Sequence, residues 1–481
     1  MSVNREQLQI AFVSVIRPLF KGDSPQAARR SLGGLSELGR RHGFDVITAH
    51  VAEDEEHLAS GQPLPDFAVS TREGADRAAR QIKALAPDLL LIQHTTFATG
   101  DLLVPLLNAA RRVGLWALPE NEGDARRSGP LPLNALCGLN MTLSFLDHAE
   151  VGKHEPVKWF YGSVRSAPFH RRLLPTLQAL RGLRAADGAR ILQIGGTAPA
   201  FYGIEERPVL EGVTVETRSL GELFQAVEQV ARSDAQALAQ AWADREPSNV
   251  SADQLERAAR IELGLGAMAE EANSHAIALR CWPELPDACG AMACAAVGAL
   301  GDRDIPAACE GDVMGALSML ILAGMSGQQA VLMDLSDVDF DDDSLLFWHC
   351  GNAPLTWASE AGSRLTTHFN RDALGVVRDM TLREGGATGF RLLSSGRRGA
   401  IFGGDFLGPG KTGFDGVRGW LTRPTWNGLP VGAEGFVANV LDNRLPHHFA
   451  LAMGDLQAGL RELCAWLGAD VLPASDARHT L

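Results

Sequence analysis

The sequence predicts an α/β protein: two doubly wound, Rossmann-like parallel-sheet domains followed by a β-rich C-terminal domain. Three observations carry that expectation. Apolar strand runs alternate with helical segments in the first part of the chain; a second such cycle opens at "RRLLPTLQALRGLRA"; and from "QQAVLMDLSDVDFDDDSLLFWHCG" onward the helical beat gives way to short strands and Gly-rich turns. A chain of 481 residues is too long for one ordinary core, and the expected domains span 1–166, 167–324 and 325–481.

In order, "LQIAFVSVI" reads as a strand, "SPQAARRSLGGLSELGRRHG" as a helix, "FDVITAHV" as a strand, "GADRAARQIKALA" as a helix and "PDLLLIQHT" as a buried strand. "GDLLVPLLNAARRVG" and "LWALPE" continue the alternation, which closes after "VKWFYGS". Strands that are apolar throughout, separated by helices, belong to a parallel sheet covered on both faces. The second cycle runs through "ARILQIGG", "VTVETRSL", polar helices between Leu220 and Glu271, and "SHAIALRCWPEL". The last part offers "VVRDMTLREGG", "TGFRLLSSG", "GAIFGGDF" and "EGFVANVL" as short strands, closed by the helix "GDLQAGLRELCAWLG".

Composition narrows the function. With 58 Asp and Glu against 44 Lys and Arg, the formal net charge is −14, and no basic block stands out. Neutralising phosphates needs a basic face, so a nucleic-acid partner is not expected. No run approaches the roughly 20 apolar residues of a membrane span, and "MSVNREQLQIAFVSVI" lacks the pattern of an export signal, so a cytoplasmic enzyme without a membrane partner is expected. The seven cysteines (Cys137, Cys281, Cys289, Cys294, Cys309, Cys350, Cys464) show no CxxC pair and read as buried, reduced thiols.

The run "PAACEGDVMGALSML" raises a sharper question, because it sets a glutamate and an aspartate around a glycine just before an apolar helix. Asp312 is placed to cap that helix, and Glu310 falls in the turn before it, where a helix N-terminus favours an anion. "QQAVLMD" is a buried strand ending at Asp334, and "SLLFWH" another ending at His349. Open α/β sheets gather their sites outside strand carboxyl ends, so these side chains are expected to converge, joined by His447 or His448 from "NRLPHHFALAMG". Two carboxylates with imidazoles form a mixed oxygen and nitrogen site suited to Mn²⁺, or to another divalent cation such as Mg²⁺ or Co²⁺. Taken singly, each residue has a plainer role: Glu310 a helix-terminal acid, Asp334 a turn residue, His349 a core histidine.

Three other signals fail on spacing. In "GPGKTG" the first glycine of a phosphate loop would stand at 405, which is Asp405. "GLGAMA" follows a helical rather than a strand segment, and "DVDFDDDS" lacks the glycine and glutamate of a calcium loop, having Asp342 and Trp348 there. "GGTAPAFYG" has the makings of an anion-binding turn, but Gly pairs at strand ends are common.

The runs "CWPELPDACGAMACAAVGALGDRDIPAACEGDVMGALSML", "MDL", "FWHCGNAP" and "PHHFALAMGD" resemble the L-fucose isomerase and L-arabinose isomerase superfamily, with "PLNALCGLNM" (Asn134, Gly138) matching an early motif. The resemblance covers the second and third domains. It implies a metal-dependent aldose–ketose isomerase with Glu310 and Asp334 as metal-binding and catalytic carboxylates and His447 or His448 as the C-terminal ligand. His349 matches a ligand of the arabinose branch that the fucose branch lacks. It also implies a homo-oligomer, trimer or hexamer, in which the first domain of a neighbour covers the site. Candidate sugar contacts are Arg17, Gln93, Trp282, Asn352 and Arg423.

The expected substrate is a pentose, a deoxyhexose or a 6-substituted hexose. Arg364, Arg371, Arg391 and Arg397 are available should that substituent be anionic. The expected chemistry is an ene-diol proton transfer between adjacent carbons, with a hydride shift as the rival route. A non-catalytic sugar-binding or regulatory protein on the same scaffold is the alternative.

Overall fold

The computed structural model describes residues 7–51, 63–122, 129–148, 151–152, 155–371 and 373–474. They form two compact units, one up to Leu180 and one from Arg181 onward.

The N-terminal unit is built on a parallel sheet with strands in the order Phe44–Thr48, Leu8–Val15, Leu89–His94, Val113–Ala117 and Val157–Tyr161; Ala68–Val69 also pairs with Leu8–Val15. Leu89–His94 and Val113–Ala117 are buried at every residue, the mark of a sheet covered on both faces. The helix Ser24–His42 opens on Pro25, where a missing N–H costs nothing, and stops at Gly43 in the left-handed region. Thr71 caps Arg72–Leu85 by accepting from the Gly74 N–H. The segment "GDLLVPLLNAARRVG" yields only a short helix, Gly100–Leu107; the Asn108 amide beyond it donates to the Val151 carbonyl.

The second unit holds two sheets. A four-stranded parallel sheet runs Ala307–Ala308, Ala276–Leu279, Arg190–Ile194, Thr214–Arg218. Leu192, Ile194, Ile277 and Leu279 from it share one core with Leu265 and Leu300 from neighbouring helices. The ten-stranded sheet is mostly antiparallel. Its strand Val417–Trp426 pairs with both Ser344–His349 and Arg398–Phe406, so six strands close a ring, completed by Val331–Asp339, His448–Met453 and Gly385–Leu393. Closure disposes of sheet edges. Val331, Met333, Phe347, Phe402, Phe449 and Leu451 pack in its apolar cluster, with the Phe347 and Phe402 rings stacked 5.7 Å apart.

The ring corrects one expectation. Asp334 and His349 do not stand at the carboxyl ends of parallel strands. Asp334 is in the middle of Val331–Asp339, opposite Trp348 on one antiparallel neighbour and His448 on the other. A wholly apolar run such as Val331–Met333 looks the same in a covered parallel sheet and in a closed antiparallel ring, because both bury the two faces of the strand.

Candidate active site and metal centre

Glu310 lies in the Cys309–Gly311 turn between the short strand Ala307–Ala308 and the buried helix Val313–Ser326. Its φ of 61° is in the left-handed region, uncommon for a residue with a β-carbon and often found where a side chain must be aimed. Gly311 follows at φ 76°, and a β-carbon there would stand 2.0 Å from the Gly196 carbonyl oxygen. The Ala198 N–H donates to the Glu310 carbonyl at 2.8 Å. The "GGTAPAF" loop therefore braces the turn from behind. In front, Trp282 Nε1–H donates to Glu310 Oε1 at 3.3 Å, and Oε2 lies 3.1 Å from His447 Nε2 and 3.5 Å from His448 Nε2. Phe201 of the same loop packs edge-on against both Trp282 and His447.

Sheet register supplies the second half of the site. Because Asp334 pairs directly with His448, its Oδ1 comes within 3.6 Å of His448 Nε2. His349, ending the strand on the other side, stacks its ring on His448 at 5.6 Å. The ligand-type atoms of Asp334, His349 and His448 all lie within 4.8 Å of one another, and so do those of Glu310, His447 and His448. Asp334 Oδ1, His349 Nε2 and His448 Nε2 are buried without a hydrogen-bond partner. Buried polar atoms are normally paired, so three orphans at one point mark a place for a ligand. A donor set of carboxylate oxygens and imidazole nitrogens fits a divalent cation. The site opens on a cavity of about 260 Å³ whose walls include Trp282, Glu310, Asp334, Trp348 and His349.

Asp312 decides what His448 can do. Its Oδ1 accepts from the Gly315 N–H at 2.7 Å, capping the helix, while Arg391 grips both carboxylate oxygens at 2.5 and 3.0 Å. Burial opposes a charge on Asp312, but Arg391 and then His448 outweigh it and hold its pKa below the ordinary carboxylate value. An ionised carboxylate only accepts, so His448 Nδ1, 2.9 Å away, donates its proton to Asp312, and Nε2 turns a lone pair to the site. This is the carboxylate–histidine pairing that orients metal-binding imidazoles.

His349 has the opposite arrangement. Its Nδ1 accepts from the Cys350 N–H at 2.9 Å, which leaves the ring proton on Nε2, buried and without a hydrogen-bond partner. Around Glu310, burial works against the charge, yet the hydrogen bond from His447 and the neighbouring His448 and His349 lower its pKa. Burial likewise works against a charged His447, and the hydrogen bond to Glu310 with the nearby Asp334 raises its pKa.

The other sugar-contact candidates divide. Trp282 lines the cavity. Asn352 is buried behind it, its amide donating to the Leu332 carbonyl at 3.2 Å. Arg423 is exposed and paired with Asp405 at 2.7 Å, away from the cavity-lining residues. Arg17 and Gln93 belong to the N-terminal unit, where Arg17 pairs with Asp101 at 2.6 Å and Gln93 accepts from the Thr95 hydroxyl at 2.8 Å. Sequence reasoning saw Asp312 only as a helix cap and missed its grip on His448. Arg391, seen only as a possible anion contact, proves to be Asp312's buried partner, and the bracing by Phe201 went unseen too. An arginine inside an apolar strand, "TGFRLL", was the available signal for a buried carboxylate partner.

No family model matches the chain. Among curated proteins, a sulfoquinovose isomerase of Alkalicoccus urumqiensis is 27% identical over 394 residues, covering 78% of this chain and 84% of that protein. One of Priestia megaterium is 27% identical over 344 residues, covering 68% and 73%, and one of Clostridium sp. (strain MSTE9) is 24% identical over 377 residues, covering 76% and 77%. Likeness to these enzymes over most of their length supports a sugar isomerase, and the chain is an enzyme of the isomerase class.

Proposed function

We propose that the chain is a metal-dependent aldose–ketose isomerase of the fucose isomerase-like superfamily, acting on a hexose with an anionic group on carbon 6. Sulfoquinovose, named for the relatives, is the leading substrate. The observation that carries the reading is the approach of both carboxylates to one buried, unpartnered nitrogen at the cavity: His448 Nε2 lies 3.5 Å from Glu310 Oε2 and 3.6 Å from Asp334 Oδ1. These three residues would hold the ion, Mn²⁺ or another divalent cation such as Mg²⁺ or Co²⁺. When bound it supplies Lewis-acid stabilisation of the charge that develops on two neighbouring sugar oxygens.

The chain's own groups handle the protons. Glu310 and Asp334 are the acid/base pair: one carboxylate takes the proton from carbon 2 and carbon 1 receives it back, while the O2 hydroxyl proton passes to O1. His447 favours the ionised, basic form of Glu310 through its hydrogen bond. His349 serves as a donor to a sugar oxygen through Nε2–H rather than as a ligand. Trp282 forms an apolar wall and orients Glu310.

At the other end of the sugar, Arg371 is the cation available for the carbon-6 anion. It lines the cavity, next to Asn370, and among the described residues no carboxylate pairs with it. Arg364 is paired with Asp379, Arg391 is buried on Asp312, and Arg397 is exposed outside the cavity wall. The working enzyme is a cytoplasmic homo-oligomer, trimer or hexamer, in which residues 1–166 of a neighbour cover the cavity.

Ketose formation from sulfoquinovose and from unsubstituted aldoses, with Mn²⁺ added, tests the reading. Sulfoquinovose should turn over fastest, and Glu310→Gln should abolish turnover with the circular dichroism spectrum unchanged. A near-normal rate in that variant, or no ketose from any aldose, would overturn it. Reaction in D₂O separates the routes, since proton transfer admits solvent deuterium at the transferred position and a hydride shift does not.

A further inference from the structure

We infer a second cation site on the wall of the same cavity, of opposite chemical character: Cys294, Cys350 and His368 form a site for a thiophilic ion of the Zn²⁺ or Cd²⁺ class. The three residues come from separate stretches of the chain. Cys294 opens the helix Cys294–Asp302, Cys350 follows the strand Ser344–His349, and His368 follows the strand Ala358–Thr367. The fold nonetheless brings one ligand-type atom of each within 4.8 Å of the others, and all three residues line the cavity.

The distances suit coordination better than a covalent bridge. The two sulfur atoms are 3.4 Å apart, whereas a disulfide holds them at about 2.05 Å. In a tetrahedral zinc site with Zn–S near 2.3 Å and Zn–N near 2.0 Å, sulfur atoms sit roughly 3.8 Å apart and sulfur and nitrogen roughly 3.5 Å. Small side-chain rotations reach that arrangement from the present one. Three protein ligands leave a fourth position, and since all three side chains face the cavity, that position and the entry path are both on the solvent side.

Donor type keeps the two sites apart. Two thiolates and an imidazole select a soft or borderline ion, while the carboxylates with His448 select a harder one. The sites nevertheless share a boundary, because His349 Nδ1 lies 3.2 Å from Cys350 Sγ. A thiophilic ion bound there occupies the cavity beside the donor His349, so its binding excludes the sugar and inhibits the isomerase without displacing the catalytic ion.

Binding is read on the full-length, reduced protein saturated with Mn²⁺, by titrating Cd²⁺ and following the thiolate-to-cadmium charge-transfer absorbance, with no reference to turnover. One equivalent per chain with that band is expected, lost in both Cys294→Ser and Cys350→Ser and kept in Asp334→Asn. Absence of the band from wild-type protein whose seven cysteines titrate as free thiols overturns the inference. So does a band that survives Cys294→Ser, or a Cys294–Cys350 disulfide found in protein kept under reductant. If the isomerase reading also holds, zinc should inhibit the wild type at concentrations at least about tenfold lower than it inhibits Cys294→Ser, one order of magnitude in affinity being about 1.4 kcal/mol.

Discussion

Asp312 joins three parts of the molecule in one carboxylate: it caps the helix Val313–Ser326, neutralises the buried Arg391, and sets the proton on His448. Asp312→Asn keeps the size of the side chain and removes its charge. Arg391 is then left as an uncompensated buried cation, which typically costs about 3–5 kcal/mol. The His448 imidazole also loses the partner that aims its lone pair, and such losses typically weaken metal affinity about 10–100-fold. Chemical denaturation and Mn²⁺ binding should therefore both report the change; a folded variant with unaltered Mn²⁺ affinity would remove Asp312 from the support of the site. On the proposed isomerase reading, Arg371→Met tests the contact with the carbon-6 anion. It should raise KM for the sulfonated aldose about 10–100-fold and leave the constants for an unsubstituted aldose nearly untouched, because only the anion loses a charge-assisted partner. Equal effects on both sugars would point to a general packing role instead.

At the scale of elements, the Cys309–Gly311 turn carries the positional burden, since it must aim Glu310 from a left-handed backbone while passing close beneath Gly196. Two glycine substitutions separate the two demands. Gly311→Ala meets both a positive φ of 76° and a backbone oxygen 2.0 Å from the new β-carbon, whereas Gly327→Ala, at φ 68° after the same helix, meets no atom within 4 Å. The second should cost about 1 kcal/mol from backbone conformation alone. The first should cost clearly more and take activity with it, as measured by thermal melting alongside turnover; comparable melting temperatures for the two would show the turn to be more yielding than its contacts imply. Local signals were legible in the sequence wherever they depended on near neighbours: the cap at Asp312, the helix after it, and the strand ending at His349. Ring closure was not, because the double pairing of Val417–Trp426 joins segments far apart in the chain. The same limit hid the thiol cluster. Cys294 and Cys350 each sit in apolar runs that read as inert, and only the fold sets them side by side.

For the whole molecule, the sequence reading that put the N-terminal strands in one covered parallel sheet also leads to a pH dependence it could not have foreseen. Leu89–His94 is buried on both faces, and its last residue, His94, is wholly enclosed. Thr142 uses its hydroxyl proton on the Gly138 carbonyl and so accepts from His94 Nε2–H at 3.3 Å, while Nδ1 has no acceptor to receive a second proton. Burial pushes the His94 pKa from 6.5 down to about 3. The unfolded chain then binds a proton near pH 6.5 that the folded chain refuses until about pH 3, so stability falls as pH drops through that window and is fully present above it. Carboxylates with lowered pKa, Asp312 and Glu310 among them, add losses of the same sign, but from their own lower unfolded values downward. Between about pH 6.5 and 5 the histidine term should dominate the slope for the N-terminal unit. His94→Gln, which keeps a donor for Thr142 and cannot titrate, should flatten that part of the curve in denaturant unfolding followed by Trp116, a buried reporter in the adjacent strand. An undiminished slope between pH 6.5 and 5 in the variant would mean that His94 accepts a proton in the folded sheet.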